Sequence, residues 1–269
     1  LCESFESARF FDFTFAKAKY AEKCRGVLPV MKTEGVISVR QARHPLLDPA
    51  KVVAIDVSVG DSYDAMIVTG PNTGGKTVSL KTVGLLALMA KSGLFIPAKE
   101  ESRVDFFGHV FADIGDEQSI EQSLSTFSAH MSNIIRILSE ADHESLVLLD
   151  ELGSGTDPAE GAALAISVIE YLRSRGAKLM TTTHYAELKV FALQTPWVEN
   201  ASCEFDVATL KPTYRLITGI PGKSNAFAIA SRLGLAEEII NSAKSRLDQE
   251  TVKMETVIAD LETKKKEAE

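Results

Sequence analysis

The sequence is poor in cysteine, in long apolar runs and in basic charge, and each shortage excludes something. Its three cysteines, Cys2, Cys24 and Cys203, are odd in number and lack metal-ligand spacing. That fits a reducing compartment, the cytoplasm, better than a disulfide framework. The longest apolar stretch, Val83 to Ala90, is bounded by Lys81 and Lys91 and falls far short of the roughly 20 residues a membrane span needs. No signal-peptide pattern stands at the N-terminus, so no membrane partner is expected. Lys and Arg number 29 against 37 Asp and Glu, a net charge of -8. The chain therefore has no bulk electrostatic footprint for nucleic acid, which leaves a local basic face or another domain to supply one. Internal repeats and low-complexity tracts are absent, and the first residue is Leu1 rather than Met. A segment of a longer protein is expected.

What remains is an ordinary globular composition, 45% hydrophobic and 25% charged over 269 residues, enough for one sizeable core or two small ones. Phe10, Phe13, Ala16, Tyr20 and Cys24 fall at helical spacing within residues 3 to 24, closed by Gly26 and Pro29. From Val36 short strands begin, including the alternation Val53, Ile55, Val57, Val59 and the run Ala65 to Val68. Helices are then expected at Lys76 to Ala90, Glu121 to Leu138 and Ala159 to Leu172. Strands are expected at Val110 to Ala112, Leu146 to Leu149 and Leu179 to Thr182. Such alternation argues for an α/β fold with a mainly parallel sheet and helices on both faces. ASCEFD and TYRLI, flanking a Lys-Pro turn within residues 200 to 217, read as an antiparallel hairpin at the sheet edge. Beyond Gly234 one helix should run to the end, with Ile240, Leu247, Met254 and Leu261 seven apart as in a short coiled coil. Lys264 to Lys266 reads as a solvated face of it.

Two stretches carry chemistry. Gly70-Pro71-Asn72-Thr73-Gly74-Gly75-Lys76-Thr77 fits G-x-x-x-x-G-K-[ST], after an apolar strand and opening a helix that continues with Val78. Glycines let backbone N–H groups close around phosphate oxygens, and the helix N-terminus favours an anion. Lys76 would reach the β and γ phosphates, and the Thr77 hydroxyl would hold Mg²⁺. A glycine-rich turn with a chance lysine is the alternative, and the strand and helix around it count against that. Downstream, the strand Leu146 to Leu149 ends in adjacent carboxylates, Asp150 and Glu151. A nucleotide at the carboxyl ends of parallel strands needs its metal and its water there. Asp150 would take the Mg²⁺, directly or through water, and Glu151 would orient or deprotonate the attacking water. His184, ending the next strand, could sense a γ phosphate or simply be a satisfied polar group. To this point a nucleotide kinase, an AAA-type machine and an ABC-type ATPase all remain open.

Taken together, Val68-Thr-Gly-Pro-Asn-Thr-Gly-Gly-Lys, Ser125-Thr-Phe-Ser, Asp150-Glu-Leu-Gly-Ser-Gly-Thr and Thr183-His-Tyr resemble the ATPase domain of MutS proteins. Arg43-His44-Pro45 and Pro221-Gly-Lys-Ser224 extend the resemblance over about residues 27 to 247. The resemblance implies a P-loop NTPase fold of the ABC type, with ATP and ADP as ligands and Mg²⁺ as cofactor. It implies Lys76 and Thr77 on phosphates and metal, Asp150 on Mg²⁺, Glu151 on water and His184 on the γ phosphate. Gln118 takes the Q-loop position, and Ser125 is the signature serine that reaches across a homodimer with composite sites. An aromatic residue and a histidine flank the adenine in the family; the corresponding positions here are Val52 and Tyr214. Leu124, Phe127, Met131, Ile134 and Leu138 form a core stripe on the same helix, and Ser123, Ser125, Thr126 and Ser128 stand where hydroxyls cap a helix start.

Departures narrow the resemblance. The mismatch-repair branch reads D-E-x-G-R-G-T and R-I-G-A where this chain reads DELGSGT and Asp113-Ile-Gly-Asp. That is more like the MutS-two branch, which lacks mismatch-reading domains and ends in an Smr nuclease domain. The implied function is an ATP-hydrolysing dimerisation module that couples nucleotide state to a clamp on branched DNA, limiting recombination, or on collided ribosomes. The nuclease would lie outside this chain. A transporter's nucleotide-binding subunit is the alternative, but it needs a helical subdomain between Q-loop and signature, and Gln118 to Ser125 leaves no room for one. The expected division is residues 1–26 from the end of a preceding domain, 27–235 as the ATPase domain, and 236–269 as a C-terminal helix beginning a coiled coil or linker.

Overall fold

The computed structural model describes residues 2–71, 74–115, 126–206, 208–222 and 226–246. Its centre is a six-stranded sheet in the order β5-β6-β7-β3-β8-β9. These are β3 (Ala65–Thr69), β5 (His109–Asp113), β6 (Ser145–Leu149), β7 (Lys178–Thr182), β8 (Val198–Asp206) and β9 (Lys211–Thr218). The first five run parallel, and β9 closes one edge antiparallel to β8. β3 and β6 are buried along their whole length, as strands covered on both faces must be. Their alternate residues feed two cores. Met66, Val68, Leu146 and Leu148 face one, packed by α2 (Lys76–Lys91). Ala65, Ile67, Val147 and Leu149 face the other. α3 (Thr126–Glu140), α4 (Pro158–Ser174) and α5 (Ala186–Gln194) cover that second face.

A separate antiparallel sheet, β2-β1-β4, lies over α2. It consists of β1 (Ile37–Ala42), β2 (Ile55–Val59) and β4 (Arg103–Val104). The alternation through Ile55, Val57 and Val59 forms its inward face, each side chain buried. Asp105 anchors the segment leading into β1. Its carboxylate accepts the backbone N–H groups of Lys32, Glu34 and Val36 and is paired with the Arg103 guanidinium.

Three expectations are modified. Lys211 and Pro212 belong to β9, with the tight turn before them; Asp206 caps that turn by accepting the N–H of Ala208 and of Thr209. Past Gly234, instead of a helix running on without a break, α7 (Glu237–Lys244) closes at Ser245, and it is preceded by a short α6 (Ala226–Arg232). Ile240 is buried; the heptad positions Leu247, Met254 and Leu261 lie outside the described residues. α1 (Cys2–Cys24) is helical as its spacing predicts. Of its stripe, only the end near Tyr20 meets the core, while Phe5, Phe10, Phe11, Phe13 and Phe15 are all exposed.

Candidate functional site

The carboxyl ends of β3, β6 and β7 converge on one place. After β3 the chain turns through Gly70, whose φ of 126° only glycine adopts easily, and re-enters as α2. That helix opens on Gly75, left-handed at φ 97°, without a side-chain cap, which leaves its first N–H groups available to an anion. Lys76, the first helical residue, is 1% exposed. Its amine donates to the Gly70 carbonyl at 2.9 Å and lies 3.2 Å from Nδ1 of His184. Burial pushes the Lys76 amine below its ordinary pKa, against the pull of Glu151, Cys203 and Asp150. Cys203, packed under the loop, has its thiol pushed up to about 11 by burial, so it is inert filler there.

Beside the lysine, the Thr77 hydroxyl donates to Asp150 Oδ2 at 2.7 Å, and Thr182 donates to Oδ1 at 2.5 Å. Hydroxyl-to-carboxylate bonds are of the strong class. Asp150 is fixed through its main chain as well, its N–H donating to the Asp113 carbonyl at 2.8 Å. Glu151 follows at φ 48°, left-handed for a residue with a side chain, and Thr182 Oγ1 holds its N–H at 2.8 Å. That turn swings its carboxylate to 3.1 Å from Nε2 of His184. The loop beyond is locked by close approach. A Cβ at Gly153 would stand 2.3 Å from the Gly161 carbonyl, and Tyr185 donates its hydroxyl to the Gly153 carbonyl at 2.8 Å. Asp157 then caps α4, accepting the N–H of Ala159 and Glu160.

On the other side of Gly75 lies a pocket of about 370 Å³ whose walls include His44, Leu47, Val52, Ile55, Val78 and Tyr214. Tyr214, at φ 59°, lays its ring against the phosphate loop, so that a Cβ at Gly75 would come within 3.0 Å of it. A largely apolar slot opening beside a phosphate loop suits a nucleobase.

The family model that matches is MutS domain V, over residues 66–251. The chain belongs to the MutS family. Within it, the likeness is to the MutS-two branch. Endonuclease MutS2 of Clostridium acetobutylicum is 60% identical over 96% of this chain and 33% of its own length. The protein of the same name from Agathobacter rectalis is 60% identical over 99% of this chain and 34% of that one. A third, from Caldanaerobacter subterraneus subsp. tengcongensis, is 59% identical over 94% and 32%. The chain thus spans about a third of the length of the curated relatives it matches. With MutS domain V comes the P-loop NTPase fold expected from the motifs.

In this MutS module the structure brings together Gly70, Gly74, Gly75, Lys76, Thr77, Asp150, Glu151 and His184, and it puts Val52 and Tyr214 on one pocket. Asn72, Thr73, Gln118, Ser125, Lys223 and Ser224 lie outside the described residues. Thr182, Tyr185 and Asp113 are structural partners that sequence reasoning missed. The two threonines before Thr183-His184 were the available signal for the first. His44 and Ile55 are pocket walls as well, a role that the motif Arg43-His44-Pro45 and the strand alternation do not disclose by themselves. Among the described residues no helix is long and apolar enough to cross a membrane.

Proposed function

We propose that this MutS module binds ATP with Mg²⁺ and hydrolyses it, with Glu151 as the general base. The observation that carries this reading is the chain Gly70, Lys76, His184, Glu151, running beside the Thr77–Asp150 pair. It gathers a phosphate-binding amine, an oxygen pair for a hard cation and a second carboxylate for water. The donors fit Mg²⁺, which takes few protein oxygens and completes its shell with phosphate and water. Among the described residues no group of three His, Cys, Asp or Glu side chains is placed to hold a metal alone. Mg²⁺ held by Thr77 and Asp150 would neutralise phosphate charge. Lys76 binds β and γ oxygens, His184 senses the γ phosphate and orients Glu151, and Glu151 takes the proton of the attacking water. The base rests between Val52 and Tyr214.

The module works as a homodimer with composite sites, Ser125 of each subunit facing the nucleotide of the other and Gln118 serving as the Q-loop residue. Residues 27–235 form the ATPase domain, 1–26 the end of a preceding one, and 236–269 the start of a coiled coil or linker. The five exposed phenylalanines of α1 support the second of these, since large apolar side chains exposed in such number on one element normally meet a covering surface. In the whole protein, located in the cytoplasm, ATP state moves a clamp on branched DNA or on the ribosome, with endonuclease activity in a domain beyond this chain.

Mixing two inactive variants tests the composite site. Lys76→Ala and Ser125→Arg should each be inactive alone. A mixed dimer holds one site with both defects and one with neither, so free exchange restores roughly a quarter of the wild-type rate. Sedimentation with ATP establishes that exchange partners dimerise. An exchanging dimer without recovered turnover would contradict the composite site.

A further inference from the structure

We infer that Asp113 is a positioning residue that ties the first half of α3 to the end of β6. The segment presented to the partner subunit and the subunit's own Asp150 then move together. This rests on the composite-site reading above. Asp113 ends β5 and is 8% exposed. Its carbonyl accepts the Asp150 N–H at 2.8 Å. Its carboxylate lies 2.8 Å from His130 Nδ1 through Oδ2 and accepts Asn133 Nδ2 at 2.9 Å through Oδ1. His130 and Asn133 are three apart, hence on one face of α3. Asn133 Nδ2 also donates to the carbonyl of Ala112, the residue before Asp113, at 3.1 Å. One aspartate is therefore bonded through its main chain to the proposed metal ligand and through its side chain to two positions on the helix that follows Ser125 in sequence.

A second contact removes slack. At Gly155, in the loop after Glu151, an added Cβ would stand 3.2 Å from Cβ of Phe127 and 3.4 Å from its N. The gap bordered by Phe127, His130, Asp150 and Glu151 is about 10 Å³, room for a single water at most. On that side the packing leaves little room to absorb a shift, whereas a cavity of about 370 Å³ borders Asp113, His130 and Asn133 on the other. If a ligand on the partner subunit moves α3, the bonds from His130 and Asn133 to the Asp113 carboxylate carry that motion to the end of β5, whose last carbonyl holds the Asp150 N–H.

The mixed dimer of Lys76→Ala with Ser125→Arg provides the test, because it contains a single working site whose two halves lie on different chains. Asp113→Ala is added first to the Ser125→Arg chain, which supplies the working Lys76 and Asp150, and then instead to the Lys76→Ala chain, which supplies Ser125. Turnover should fall about tenfold in both arrangements, the scale on which residues lying between two sites alter their coupling, because the carboxylate that holds α3 is lost while the carbonyl that meets Asp150 remains. Binding of a fluorescent ATP analogue should stay within about twofold, since no phosphate or base contact is removed. The Mg²⁺ concentration for half-maximal rate should rise only where Asp113→Ala shares a chain with the working Asp150. Should Asp113→Ala not fold, His130→Ala, at a half-buried position of α3, carries the same test. Loss in one arrangement only, or loss that merely follows a fall in dimer content by sedimentation, would overturn the coupling. Recovery in the parent mixture with no effect of Asp113→Ala would overturn Asp113 and leave the composite site standing. No recovery in the parent mixture would remove both.

Discussion

His184 stands between Lys76 and Glu151, its Nδ1 3.2 Å from the amine and its Nε2 3.1 Å from the carboxylate. The amine can only donate, so Nδ1 accepts and Nε2 keeps the proton that it donates to Glu151. The imidazole thus bridges the proposed phosphate-binding amine and the proposed water-activating carboxylate. Removing it should leave nucleotide affinity nearly intact, because Lys76 keeps its place against Gly70. His184→Ala is expected to lower kcat about tenfold or more with KM for ATP changed less than about threefold. Steady-state phosphate release gives both numbers, and an unchanged kcat would reduce His184 to a strand-end polar group.

Tyr214 closes the apolar pocket beside Gly75. Truncating the ring in Tyr214→Ala should weaken ATP binding by about 1 kcal/mol, roughly fivefold in Kd, the scale of one aromatic stacking contact. Isothermal titration measures it directly. Unaltered affinity would assign the ring to packing of the β8–β9 hairpin alone.

The phosphate loop and the Asp150-Glu151 strand end were legible because each is local. Their spacing along the chain fixes the geometry once a strand precedes and a helix follows. The parallel sheet was legible for the same reason, from buried runs such as Leu146 to Leu149 alternating with helical periods. What was not legible depends on contacts between distant segments. Nothing in the spacing of Arg103 and Asp105 announces that they hold residues 32–36 and so build a second sheet. The threonines before Thr183-His184 mark Thr182, but that it binds both Asp150 and the Glu151 N–H depends on β6 and β7 lying side by side. The hairpin turn falls before Lys211-Pro212 because proline tolerates an edge strand as well as a turn, and Pro212 occupies the edge strand.

Asp105 gives a pH-dependent prediction away from the chemistry. Burial alone would raise its pKa, but the Arg103 guanidinium and the Val36 and Lys32 amides outweigh that and hold it below the ordinary carboxylate value. A carboxylate depressed on folding contributes stability above its unfolded pKa, about 4, and loses it as pH falls through the folded value. Asp105→Asn should therefore cost about 3 kcal/mol at pH 7, the scale of breaking a buried pair. The difference from wild type should shrink below about pH 4. Urea melts at pH 7 and at pH 3 measure both; a gap equally wide at the two values would contradict the assignment.

The account stands most directly on Glu151. Equilibrium binding of ATP with Mg²⁺ and the rate of phosphate release are to be measured on the same preparation of Glu151→Gln. The amide keeps the size of the side chain and can still meet His184, but it cannot take a proton from water. Binding should remain within about twofold of wild type while turnover falls about 10²- to 10⁴-fold, the range of a lost general base. Turnover at the wild-type rate would contradict the proposed hydrolytic site.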